Sequence, residues 1–589
     1  MRSTQWVRVG LLGGVVTIFV ALVGLIDRFT DVHLIGEQIT FAQLMLVTPP
    51  FVAGLIVASP TIVSGARRAT PRSEATIGGA VTGAVAGVTF GLAVLATDLI
   101  GQERARSVFI NVTPQLMDFV TFERTAVIGA FILVAVSAAA GLLGGVLKVS
   151  PAPVRRPVTT AVTVTLLFAF LQRVIPIALD ELNVERDWLY SATARGLTWI
   201  GAFVVGIVAA GSSLLRTRLR PALERRFAAA SAGAGRGVGP VRLLLVAAAV
   251  AALIAAPQLL GTVISQTLGS VMIFALLGIG LNIVVGYAGL LDLGYVFFFA
   301  VGAYSLALLT GATLNAFGLP PDPAISGSLN FYVAIPIVMV IAALAGVLIG
   351  APVLRLRGDY LALVTLGLGE MATVLLGSPW LVPLIGGPSG MRGITDAAIG
   401  GFGFREPKQF YYLALAFVAL ALFVSWRLYG SRIGRAWTAM REDEQTADAM
   451  GVSTTRFKLL AFAIGGAIGS LGGALFAVQI GSLTPASFQV LISIQVLGLV
   501  ILGGLGSLPG VIVGALVLVG LPGLLREFEE YRLLAYGGAL VAVMILRPQG
   551  LVPNVRRSRE LLKEEQAQDE WAKAAAAGDV EAASSGATG

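Results

Sequence analysis

The sequence contains no cysteine and a single histidine, His33, in 589 residues. Disulfides, thiol nucleophiles and thiolate-bound metals are excluded, and so are metal sites built on a pair of imidazoles. Charge is scarce too, with Asp, Glu, Lys and Arg making up 13% of the chain. No Gly-x-x-x-x-Gly-Lys-Ser/Thr motif occurs and no lysine follows a glycine, so the chain carries no P-loop for ATP. No nucleophile–base set is visible either, which leaves a membrane enzyme with no chemistry to perform.

What is abundant is apolar. Hydrophobic residues are 56% of the chain and the mean hydropathy is +0.86. This composition predicts an all-α polytopic membrane protein, because helices satisfy their own backbone groups in lipid. The 72 glycines fit helices that approach closely there. The net charge of +8 does not imply nucleic acid, since the basic residues cluster at the ends of apolar runs, where they set orientation. The opening apolar run, Val9 to Ile26, exceeds an ordinary signal core and lacks an Ala-x-Ala site, which predicts an uncleaved first span.

At about 20 apolar residues per crossing, the pattern predicts about 16 transmembrane helices. Six, at 8–26, 40–63, 76–97, 126–147, 158–178 and 196–215, form an N-terminal extension over 1–216. Arg67, Arg68 and Arg72, then Lys148, Arg155 and Arg156, then Arg216, Arg218 and Arg220 mark its inside loops. Residues 217–241 read as a basic cytoplasmic linker between two membrane units. The second unit, 242–553, is expected to hold about ten spans, at 243–260, 268–286, 295–312, 331–353, 359–377, 411–428, 458–479, 490–504, 508–525 and 533–546. The positive-inside rule puts both termini in the cytoplasm. Residues 554–589 read as a cytoplasmic, partly disordered tail.

One polar run, Tyr429 to Lys458, interrupts the second unit. Arg432, Arg435 and Arg441 place it inside. Glu442, Asp443 and Glu444 suit the first turn of a helix, whose free N–H groups favour negative charge. The pattern predicts a short helix over Gln445 to Met450, with Ala447 and Met450 on one face, ended by Gly451, and Ser453 capping the next helix. A solvated loop with one helical turn is the alternative. Two Gly-rich stretches, one from Gly286 and one from Gly503, both run into apolar segments and suggest an internal repeat.

Few polar residues interrupt the spans. Glu370 lies in the middle of LALVTLGLGEMATVLLG, where a carboxylate costs roughly 2.5–3.5 kcal/mol on insertion scales. It reads either as a pathway or gating residue or as a structural carboxylate bonded to a neighbouring helix. Asn282 reads as interhelical glue, and Asp292 as a residue at the membrane surface. Asp359, in RLRGDY, suits a helix start beside Arg355 or Arg357. The run Ile385 to Ile394 is an irregular outside loop, either a partner contact or vestibule lining, or a plain connector.

Six segments occur in one order: GLNIVVGYAGLLDLGYVFFFAVGAY, RLRGDYLALVTLGLGE, GGPSG, SRIGRAWTAMREDE, LLAFAIGGAIGSLGGALFA and ILGGLGSLPGVIVGA. Together they resemble the LivM-type permease subunit of branched-chain amino-acid ABC importers, over 276–553. The resemblance makes 242–553 an ABC permease transmembrane domain in the bacterial plasma membrane, with no cofactor. It implies a LivH-like permease partner, two ATPase subunits, an extracytoplasmic amino-acid-binding protein and surrounding membrane lipids, with no nucleic acid. It implies that Glu442, Asp443, Glu444, Ala447, Met450 and Gly451 form the ATPase-docking coupling helix, although the usual acidic-Ala-Ala opening is imperfect here. It implies a translocation path through Asn282, Gly286, Gly289, Asp292, Gly294, Tyr304 and Glu370. Permeases for urea, amides or another small polar solute belong to the same family, and an ion-coupled transporter using Glu370 is the more distant alternative. The six N-terminal spans depart from the usual shorter permease and read as regulatory, bracing or insertion-assisting.

Overall fold

The computed structural model describes residues 2–59, 61–63, 66–68, 71–172, 174–181, 184–191, 196–232, 240–311, 313–314, 329–353, 359–399, 402–524, 536–538, 540–541, 547 and 549–552. Among them, eight helices are long and apolar enough to cross a membrane, or nine if one bent pair is a single span. Four shorter apolar helices, Phe41–Val57, Trp199–Leu215, Val296–Leu309 and Leu508–Gly523, accompany them. The fold is an all-α polytopic membrane protein. The expected span at 533–546 and the tail from 554 lie largely or wholly outside the described residues, as do Arg355 and Arg357. The chain divides into two compact units, Met1–Ala248 and Ala249–Gly589.

The first unit holds α1 (Arg2–Leu22), α2 (Phe41–Val57), α3 (Arg72–Ile100), α4 (Ala126–Val149), α5 (Ala152–Phe170) and α6 (Trp199–Ala232). Thr40 starts α2 with a reciprocal capping box: its hydroxyl accepts from the Gln43 amide, and the Gln43 side chain accepts from the Thr40 amide. Helices α3 and α4 meet through Gly79, Gly83 and Gly87 on one side and Ser137, Gly141 and Gly145 on the other. These residues recur every fourth position, so they line one stripe of each helix and let the backbones touch. Part of the expected linker is helical, because the Ala-, Leu- and Arg-rich sequence after 216 continues α6 to Ala232.

Helix α7 (Pro240–Leu281) leads into the second unit as two helical pieces joined at a kink, which falls at the start of the expected gap at 261–267. Only Gly261 leaves helical geometry there, at φ 75°, a conformation that glycine adopts at little cost. A π-helical turn, Asn282–Tyr287, continues the helix into the first Gly-rich stretch. Then come α8 (Val296–Leu309), α9 (Phe331–Val353), α10 (Asp359–Leu376), α11 (Pro407–Tyr429), α12 (Arg432–Glu442), α13 (Glu444–Ala449), α14 (Thr454–Ile480), α15 (Val490–Gly503) and α16 (Leu508–Ala515). Helix α14 is the spine of this unit. A side chain at Gly302 of α8 would strike the Ser470 carbonyl of α14, and one at Gly473 would strike the Phe299 carbonyl of α8. At the far end, the Ile385 to Ile394 run is tied down: Met391–Arg392 pairs antiparallel with both Thr313–Leu314 and Ser482–Leu483.

The glycine stripe makes a paired prediction. A Cβ at Gly83 would run into the Ser137 carbonyl, whereas one at Gly211 meets nothing within 4 Å. Gly83→Ala should destabilise the protein by roughly 1–3 kcal/mol through overpacking, while Gly211→Ala should be neutral or gain about 0.5–1 kcal/mol of helix propensity. Thermal unfolding of the two purified variants checks this, and equal shifts would contradict close backbone contact at Gly83.

Candidate functional site

The polar run folds as two short helices at an angle-making break. The Ser431 hydroxyl caps α12 by accepting from the Ile433 and Gly434 amides. Its apolar residues Trp437 and Met440 turn inward, and the buried indole donates to the Phe457 carbonyl at 2.8 Å. Asp443 then goes extended, at φ −153°, which ends α12 and lets its carboxylate accept from the Thr446 amide at 2.9 Å. That amide holds the Asp443 carboxyl below the usual carboxylate range.

The helix that follows is Glu444–Ala449, one residue earlier than the sequence suggests, because Asp443 rather than Glu444 takes the cap. Its end is a Schellman motif. The Gly451 amide donates to the Asp448 carbonyl and the Val452 amide to the Ala447 carbonyl, with Gly451 at φ 88°. Ala447 and Met450 do not share a face: Ala447 is buried, while Met450, just past the helix, is 80% exposed. Ser453 occupies the first cap position of α14, yet its hydroxyl makes no capping bond. Glu442, Asp443 and Gly451 are exposed, and Glu444 points back into the protein. There its carboxylate meets Lys458 Nζ at 2.6 Å, with side-chain exposures of 32% for Glu444 and 6% for Lys458.

The residue before this exposed patch reaches inward. Arg441 donates from Nη1 to the carbonyl oxygen of Gly286 at 2.7 Å and pairs through Nη2 with Glu442 at 3.0 Å. Its aliphatic stem lies where a side chain at Gly289 would sit. Gly286 belongs to the π-helical turn, so one cation joins the polar run to the broken end of α7. The same turn is held from the other side by Asn282, fully buried, whose Oδ1 accepts from the Gly506 amide at 2.8 Å. The two Gly-rich stretches are therefore in direct contact.

The connector between α7 and α8 is stitched to three other helices. The Leu293 amide donates to Thr365 on α10, the Tyr295 hydroxyl to the Gly465 carbonyl on α14, and the Val296 amide to Ser493 on α15. Asp292, expected at the membrane surface, is buried here. One of its oxygens accepts from the Gly294 amide at 2.9 Å, and the other finds no partner among the described residues. Gly294 is wedged against the Thr365 carbonyl with no room for a side chain. Tyr304 is buried against Phe488, and its hydroxyl has no partner among the described residues. Glu370 is apart from this group, on the exposed face of α10. Sequence reasoning missed Lys458, Thr365 and Ser493 and assigned Arg441 only to orientation. None of these left a signal in the sequence: Lys458 closes the polar run, where a lysine ordinarily points to water.

Residues 263–546 match the family model described as branched-chain amino acid transport system / permease component. The high-affinity branched-chain amino acid transport system permease protein LivM of Escherichia coli (strain K12) is 42% identical over 324 residues, which is 51% of this chain and 72% of that protein. LivM of Salmonella typhimurium (strain LT2) is 41% identical over the same length and shares. The LivH permease protein of Salmonella typhimurium is 31% identical over 140 residues, 23% of this chain and 44% of that protein. No solved structure matches the chain.

The ion pair under the short helix predicts an asymmetry. Glu444→Ala leaves the buried Lys458 ammonium without its carboxylate, whereas Lys458→Met leaves a carboxylate that water still reaches. Glu444→Ala should cost about 2–3 kcal/mol and Lys458→Met about 1 kcal/mol or less. A double-mutant cycle on thermal unfolding measures both, and the reverse order would contradict the burial of Lys458.

Proposed function

The chain belongs to the branched-chain amino acid transport permease family, and we propose on that footing that it is a pathway subunit of an ATP-driven importer for leucine, isoleucine and valine. The observation that carries the substrate is the identity to LivM across 72% of that protein. The shorter similarity to LivH supports a second permease of related fold beside this one. Urea or amide transport finds no comparable support. The subunit performs no bond chemistry of its own. ATP is hydrolysed by two separate ATPase subunits, and an extracytoplasmic binding protein delivers the substrate.

In this reading the exposed patch Glu442, Asp443, Met450 and Gly451 docks on an ATPase, with the polar run and both termini in the cytoplasm. A matching groove needs an apolar pocket for Met450 and basic groups for the acids around it. ATP binding closes the ATPase pair and displaces the short helix. Arg441 carries the displacement to Gly286, and the π-helical turn, a frequent feature of functional sites, is the element with two arrangements. Asn282 passes the movement to the Gly506 turn. The helices that frame the path then change which side they open to.

Proteoliposomes holding this chain with its co-purifying permease and ATPases, supplied with a binding protein, should take up leucine only with ATP inside. Uptake by the isolated chain under an ion gradient would overturn the reading. Two substitutions separate docking from transmission. At Gly451 a side chain meets nothing within 4 Å, and aspartate tolerates its positive φ, so Gly451→Asp should insert normally yet lose the ATPase subunits on co-purification. Arg441→Ala should keep the ATPase subunits while leucine uptake falls at least tenfold. Normal uptake by either variant would count against the role given to that residue.

A further inference from the structure

Helix α10 has two unlike faces. Ala362, Thr365, Gly369, Ala372 and Thr373 turn inward, where Thr373 donates to the Phe488 carbonyl at 2.7 Å and Gly369 packs on Gly294. Leu363, Glu370, Met371 and Val374 turn outward and are exposed. Gly367, one turn before Glu370, leaves a gap in that outward face, where a Cβ would meet nothing within 4 Å. Glu370 has no hydrogen-bond or ion-pair partner among the described residues.

Depth decides what this carboxylate can face. Glu370 lies eleven residues past Asp359, the cytoplasmic start of the helix in the proposed orientation. At 1.5 Å per residue that is about 16 Å of rise, near the middle of a hydrocarbon core of about 30 Å. An unpaired carboxylate at that depth is costly against lipid, so this face meets water, a cation or the partner permease. The helix also bends by 57° where 360–376 meets 379–385. The bend puts the negative, carbonyl end of α10 about 9 Å of rise beyond Glu370. Ser378 at the bend has a buried hydroxyl with no partner among the described residues.

We propose that Glu370 is an ammonium-binding subsite of the translocation path, taking the α-ammonium of the passing amino acid. The gap at Gly367 leaves room for the substrate, and Leu363, Met371 and Val374 offer apolar surface to its branched side chain. This rests on the permease reading above and adds a residue that recognises the cationic end of the zwitterion. Coulomb attraction between the carboxylate and an ammonium at contact distance is strong in a site poor in water, yet the pair must part again, which a single-carboxylate contact allows.

The test uses the complete importer, assembled with cysteine-free partner subunits. The native chain has no cysteine, so a lone Glu370→Cys reports on its own surroundings. A water-soluble trimethylammonium thiosulfonate should label that cysteine. Glu370→Gln should assemble with the partner permease and lose at least tenfold in leucine uptake, with Glu370→Asp retaining more. A Cβ at Gly367 meets nothing within 4 Å, so Gly367→Leu should assemble too and block uptake. A cysteine at 370 that resists the reagent, or Glu370→Gln importing leucine within twofold of the wild type, would overturn the subsite and leave the permease reading standing. Failure of the wild-type complex to import leucine would overturn both.

Discussion

The hydrogen bond from Arg441 to the Gly286 carbonyl joins the polar run of the second unit to a membrane helix that ends in a π-helical turn. The π-helical turn at Asn282–Tyr287 shifts the backbone bonding, so the Ala288 amide donates to Ile283 and the Leu290 amide to Val284. The Gly286 carbonyl is left for another donor, and a guanidinium supplies a charged one. Such a bond contributes roughly 1.5–3 kcal/mol. The geometry also dictates the glycines around it. A side chain at Gly286 would collide with Asn282, and one at Gly289 with the stem of Arg441.

The rest of the second unit makes this irregularity tolerable. Backbone without helix at membrane depth needs protein partners for its polar groups. The backbone after the π-helical turn finds them in Thr365 and Ser493, and the Tyr295 hydroxyl adds a bond to the Gly465 carbonyl on a third helix. Those helices reach it because glycine lets them crowd: Gly280 of α7 and Gly469 of α14 leave space for the Tyr295 side chain, and Gly294 lies against α10. Hydrophobic association cannot do this work in lipid, so close van der Waals contact and buried hydrogen bonds hold the unit together. The first unit uses the same device more plainly, with two glycine stripes crossing and no broken helix at the contact.

Much of this was legible in the sequence, and the boundary of legibility is physical. Apolar runs mark helices because each must bury or present about 20 residues to lipid, and the polar run stood out by contrast. The stop at Gly451 was readable because a Schellman turn needs a residue that adopts positive φ. Contacts between distant segments were not readable: Asn282 to Gly506 spans 224 residues and Arg441 to Gly286 spans 155. Asp292 looked like a surface residue because a carboxylate among glycines usually is one, and only its neighbours reveal the burial. Ala447 and Met450 share a helical spacing, yet the helix ends between them, so the spacing carried no common face. The burial of Lys458 was hidden because a lysine at a helix start ordinarily points to water.

The exposed patch is anchored at two places, and both anchors are charged. Arg441 fixes its leading edge to the π-helical turn, and Glu444 fixes the short helix to Lys458 on α14. Between them Asp443 is extended, so α12 and the short helix are separate rigid pieces with a joint. Gly451, at the tip of the patch, has open space around it, and Met450 beside it is mostly exposed. A load applied at Met450 and Gly451 therefore reaches the membrane helices through the two charged contacts and the ends of the neighbouring helices. Apolar packing alone would transmit it diffusely, since a greasy face can slide over its neighbour. A guanidinium aimed at one carbonyl cannot slide without breaking, and that directional bond ends on the turn where α7 is already broken.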